Sequence, residues 1–168
     1  MHAAHRRYLV LEQGLGAVLI NFALNFAIAW AAFRGMSAVP MWGTQSIAGD
    51  TIGTSFVLPF LTCLIVTPLA RREVTRGRLP AFERGRVDGS VLGLLPSTTF
   101  RRALVLGATA TVLIAPIAIV AFHSAGLDGI EAGTFMWIKA AYAGVLAGIV
   151  TPLIAAGALA DTGANQRR

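Results

Sequence analysis

Asn21 and Asn25 stand four residues apart inside the apolar run GLGAVLINFALNFAIAWAAF, a spacing that puts both amides on one face of a helix. An amide in hydrocarbon is costly unless it is hydrogen-bonded. Both should therefore turn toward another helix or a wet cavity, where they either hold helices together or line a polar site. Asp50 follows the polar run Gly43-Thr44-Gln45-Ser46-Ile47-Ala48-Gly49 and opens a second apolar stretch, with Thr51, Thr54 and Ser55 one turn further in. A carboxylate suits a helix N-terminus, where it meets the positive end of the dipole. With the hydroxyls beside it, Asp50 also fits a vestibule. Lys139 is the single lysine of the chain and lies about one turn inside a further apolar stretch. It either snorkels to the interface beside Trp137 or pairs with Asp50 across the mouth of the bundle. The polar lining candidates are thus Asn21, Asn25, Asp50, Thr54 and Lys139.

Other chemistry lacks its residues. The only histidines are His2, His5 and His123, all outside the apolar stretches, which argues against a bis-histidine haem. No Walker sequence, H-E-x-x-H or G-x-S-x-G occurs, and no Asp, Glu, His and Cys cluster has metal-ligand spacing. The expectation is no enzyme activity, no metal and no cofactor. Cys63, the only cysteine, cannot form an intramolecular disulfide and reads as a small buried apolar residue.

These residues must be positioned by elements suited to lipid. Of 168 residues 55% are hydrophobic and 13% charged, too few charges to cover a soluble surface. The mean hydropathy is +0.68. A helix needs about 20 apolar residues to cross the hydrocarbon core. Four stretches qualify, at about 14–33, 51–70, 103–122 and 134–158. The expected fold is all-α, one transmembrane domain built as an integral membrane four-helix bundle. The first stretch is too long for a signal h-region and holds two asparagines, so it reads as a retained helix.

Net charge is +6, which in a soluble protein would point to nucleic acid. Here the basic residues lie between apolar stretches, so no nucleic-acid partner is expected. Twelve of the fourteen fall on the N-terminal segment, the 71–102 loop and the tail, while Arg34 and Lys139 fall on the other side. The positive-inside rule then places both ends and the 71–102 loop in the cytoplasm. Thirteen arginines to one lysine, with abundant Ala and Gly, read as a GC-rich bacterial genome, hence a bacterial cytoplasmic (inner) membrane. Arg71, Arg72, Arg101 and Arg102 are candidates to meet lipid head groups, although topology alone would account for them. Val91, Leu92, Leu94 and Leu95 suggest a segment resting on the membrane surface, and Ser97 or Thr98 a cap for the third helix.

Ile65-Val66-Thr67-Pro68-Leu69 recurs as Ile149-Val150-Thr151-Pro152-Leu153. A true duplication makes two helical hairpins of like orientation, related by a parallel pseudo-twofold axis. Pro68 and Pro152 should kink their helices, with each preceding threonine answering the freed carbonyl. Small residues recur at Ala23, Ala27 and Ala31 and at Ala140, Gly144 and Gly148, stripes that let helices approach closely. Partners expected are the lipid bilayer and either a second copy or a membrane partner protein. Polar residues on the first, second and fourth stretches lead to a functional expectation of a small oligomeric transporter or channel-like protein for a small solute or ion. The alternative is a non-transporting structural or regulatory subunit of a membrane complex.

Overall fold

A computed structural model describes residues 14–78, 95–96 and 98–165, with side chains through residue 160. It is an all-α membrane bundle of four helices: α1 (Gly16–Phe33), α2 (Ile47–Thr75), α3 (Thr99–Ser124) and α4 (Ala132–Asn165). Each is long and apolar enough to cross a bilayer. The 79–94 stretch, with Val91, Leu92 and Leu94, lies outside the described residues, as do Ser97 and both basic termini.

Three helices run beyond their expected limits. α2 begins at Ile47 because Ser46, in extended conformation, caps it: Ser46 Oγ accepts the Gly49 N–H at 3.0 Å. Its far end carries Arg71 and Arg72 as helical residues and stops at Thr75. α3 starts at Thr99 behind Thr98, whose side chain makes no capping bond. Four prolines, Pro59, Pro68, Pro116 and Pro152, sit inside helices.

α1 packs on α4, α4 on α2, and α2 on α3. The consecutive helices α1 and α2 scarcely touch, so the first hairpin is open. The order α1–α4–α2–α3 reads the same when α1 is exchanged with α3 and α2 with α4. That is the packing a parallel repeat of two hairpins requires, with the axis between α2 and α4. Thr67 and Thr151 of the repeated pentapeptide are both buried.

Glycines set the two outer seams. Gly144 and Gly148 lie against Val18 and Phe22 of α1, so the small-residue stripe of α4 serves the bundle interior. A Cβ at Gly107 of α3 would meet the Phe56 carbonyl oxygen at 3.0 Å and its ring at 3.1 Å. Ala23, Ala27 and Ala31 of α1 are exposed.

At the α1–α2 end, two short strands absent from the sequence reading tie the loops together. β1 (Ala38–Val39) pairs antiparallel with β2 (Ile130–Glu131), Ala38 opposite Glu131. The Met41 N–H donates to Asp128 Oδ1 at 2.8 Å. Met41 is buried while Trp42 is exposed, so this loop tucks one side chain under the bundle. Phe33 and Phe135 meet edge to face at 5.0 Å beneath it.

Gly107→Leu should lower stability by about 2 kcal/mol, the typical cost of overpacking, because the backbone of Phe56 cannot give way. Gly53→Ala, with open space around its Cβ, should leave stability unchanged or raise it by up to about 1 kcal/mol. Denaturant titration of the purified protein in detergent reads both.

Candidate functional site

Because α1 and α2 flank α4 without meeting, a groove runs between them with α4 as its floor. Its volume is about 750 Å³, and its lining extends from Gly16 to Phe33 along α1. At 1.5 Å per residue that is about 27 Å, close to the thickness of a bilayer's hydrocarbon core. All five polar candidates, Asn21, Asn25, Asp50, Thr54 and Lys139, line this one groove. They come from three helices.

Asp50 projects from the first turn of α2, and Lys139 Nζ donates to its Oδ1. The α4 helix starts at Ala132, so Lys139 lies two turns inside rather than one. Its side chain is only 5% exposed and that of Asp50 15%. Burial of this depth needs the counter-charge: an ammonium among apolar side chains without one is strongly unfavourable. The Lys139 ammonium also stands 6.0 Å from the Phe33 ring centroid, at the outer limit of a cation–π contact. Lys139 therefore pairs with Asp50; it does not snorkel.

The asparagines use their own helix. Asn21 Nδ2 donates to the Ala17 carbonyl and Asn25 Nδ2 to the Asn21 carbonyl, each at 3.0 Å. Neither amide bridges to a neighbouring helix, and no donor among the described residues reaches either Oδ1. Asn25 is buried and Asn21 half-buried, both on the groove wall.

Thr51 and Ser55 do not join Thr54 in the groove. They face the protein, where their hydroxyls donate to the Ile47 and Thr51 carbonyls at 2.7 and 2.6 Å. Ser55 Oγ also lies 2.5 Å from the Tyr142 hydroxyl, a second polar tie between α2 and α4. Only the Asp50 turn and Thr54, of that polar run within α2, remain to the groove.

Thr151 is a lining residue that the sequence places only as a partner for Pro152. It is 2% exposed, and its hydroxyl has no hydrogen-bond partner among the described residues. It therefore does not answer the carbonyl freed by Pro152. Thr67, its counterpart, lies 3.6 Å from Cys63 Sγ instead. Gln45 is a second lining residue outside the expected set; its Nε2 reaches the Ala32 carbonyl at 3.4 Å and touches the groove at the Asp50 end. Its position in a polar, glycine-rich run is the signal that could have found it.

The head-group candidates divide. Arg72 and Arg101 are exposed, whereas Arg102 is 1% exposed and its Nε donates to the Pro96 carbonyl at 3.0 Å. Arg71 Nη1 lies 3.4 Å from Thr99 Oγ1, linking the end of α2 to the start of α3. Arg102 thus holds the chain entering α3 and offers no surface to lipid.

Fold and groove together define an integral membrane four-helix protein with a charged pair set into a groove of its transmembrane wall. The chain matches no family model, no curated protein and no solved structure.

Asp50→Leu should destabilise by about 3 kcal/mol, since it leaves Lys139 buried without its counter-charge. The double variant Asp50→Leu/Lys139→Leu should recover most of that loss. Unfolding titrations of the parent, both single variants and the double variant give the coupling directly. A loss in the double variant equal to the sum of the two single losses would show that the pair is not coupled.

Proposed function

We propose that this protein is a small transporter of a bacterial cytoplasmic membrane, with both ends in the cytoplasm, carrying a small solute along the α1–α2 groove. The observation that carries this reading is convergence: five polar residues from three helices line one groove that follows the full length of α1. The asparagines support it. A structural subunit would use them as glue between helices, but their amide N–H groups bond only to their own helix. Their carbonyl oxygens remain available on the groove wall. The Asp50–Lys139 pair across one end favours a gated carrier over an open channel.

Cysteine labelling tests the groove in a Cys63→Ser background. Asn25→Cys and Thr54→Cys should react with a membrane-impermeant thiol reagent at least tenfold faster than Ala27→Cys, which faces lipid. In a carrier, position 25 should be reached from either side of the membrane. Rates at positions 25 and 54 no faster than at 27 would overturn the reading in favour of a packing role. For orientation, a fluorescent-protein fusion at the C-terminus should be bright and a phosphatase fusion there inactive; the reverse would overturn the assigned topology.

A further inference from the structure

The groove carries charge at one end only. Asp50 and Lys139, with Thr54 and Gln45, gather toward the N-terminus of α2, while Leu61, Ile65 and Leu69 dominate the wall beyond, interrupted by Asn21, Thr62 and Thr151. A solute charged throughout does not match that gradient. A molecule with one charged end and one largely apolar chain does.

Size narrows the occupant further. The cavity holds about 750 Å³, within the range of sites that take one small ligand. A single alkyl chain fits both its length and its slenderness.

The ion pair selects the sign of the head. Asp50 is the more exposed partner and sits in the first turn of its helix, so of the two it is the one nearer to water. Lys139 is two turns deep and 5% exposed, and stays where it is. An incoming anion that displaces Asp50 keeps the lysine neutralised and gains the positive end of the α2 dipole. An incoming cation would have to expel the lysine and would face that same positive end.

We propose that the groove binds one single-chain anionic amphiphile, entering sideways from the leaflet at the Asp50 end, with its head replacing Asp50 at Lys139 and its chain along Leu61 and Ile65. This rests on the transport groove argued above and names the class of its cargo. Fatty carboxylates and alkyl phosphates share the required chemistry.

The test uses the full chain in lipid nanodiscs and a photoreactive hexadecanoic acid carrying a diazirine on its chain. Crosslinks should map to the groove wall at Leu24, Val57 and Leu61 rather than to the outward-facing Val112, Ile117 and Val145. Labelling should fall at least fivefold in Asp50→Leu/Lys139→Leu and in Gly53→Leu, which fills the groove from an open position. Lys139→Arg should retain it. Asp50→Asn should increase labelling severalfold, because the competing carboxylate is gone, and added hexadecanoate should raise the melting temperature of Asp50→Asn more than that of the parent. A purely structural ion pair predicts neither effect. Hexadecanoate and hexadecyl phosphate should both compete, and the stronger of the two identifies the natural head group. Competition by hexadecanol or hexadecyltrimethylammonium equal to that by hexadecanoate would overturn the proposal. So would labelling spread evenly over the lipid-facing surface, or unchanged in the double variant. If those outcomes arise while the thiols introduced at positions 25 and 54 remain reactive, only the cargo class is wrong; if those thiols are also silent, the groove is not a pathway.

Discussion

A lysine two turns inside an apolar helix requires a counter-charge, and the bundle is organised around supplying one. The ammonium of Lys139 cannot be left bare at that depth, and the carboxylate beside it belongs to Asp50 of α2. Their pairing holds the first turn of α2 against α4, and the Ser55–Tyr142 contact, one turn further along, holds the same two helices. The central α2–α4 interface is therefore joined by polar bonds near one end. Toward the other it is joined by small apolar side chains, Ala70 and Val74 against Ala155 and Ala158.

Around this central pair the outer helices are attached by glycine seams, and there the two halves diverge. The 84-residue offset between Ile65 and Ile149 aligns Lys139 with Ser55 and Asp50 with Thr134. Each charge of the pair thus faces a hydroxyl across the repeat. The gaps differ as well. Between α3 and α4, Phe122 and Tyr142 meet at 6.0 Å. Between α1 and α2 the corresponding space is the groove. An arrangement symmetric in its helix order is asymmetric in its chemistry, and the asymmetry lies where the polar residues are. The Asp50–Lys139 pair spans the interface between the two hairpins.

Much of this is legible in the sequence because lipid makes polar side chains informative. The four helices follow from apolar length, and the Asp50–Lys139 pair is one of two readings open for Lys139. The co-location of Asn21, Asn25 and Thr54 in one groove follows from the cost of facing each of them to lipid. What is not legible depends on partners distant in sequence. α4 begins at Ala132, directly after β2 and two residues before the apolar stretch suggests, so Lys139 stands about two turns into its helix. Thr51 and Ser55 bond back to their own helix, a choice that rotation about α2 decides and spacing does not. Arg102 reads in sequence as a surface cation like its neighbours, but the chain entering α3 folds over it. Nothing in α1 announces that it would lie against α4 rather than against α2, its neighbour along the chain.

That last contact explains why there is a groove at all. α1 is the least buried of the four helices, with 17% of its span covered against 67% for α4. It meets α4 through Val18 and Phe22 on glycines, a seam that brings the backbones close on one line and leaves the rest of α1 free. Close approach along a narrow seam swings the two flanks of a helix away from its other neighbours, since a helix with its side chains is about 10–12 Å wide. The flank bearing Asn21 and Asn25 is consequently held off α2. Had Gly144 and Gly148 been leucines, α1 would sit further from α4. The glycines of α4 and the asparagines of α1 are in this sense one feature: the first open the space that the second can tolerate.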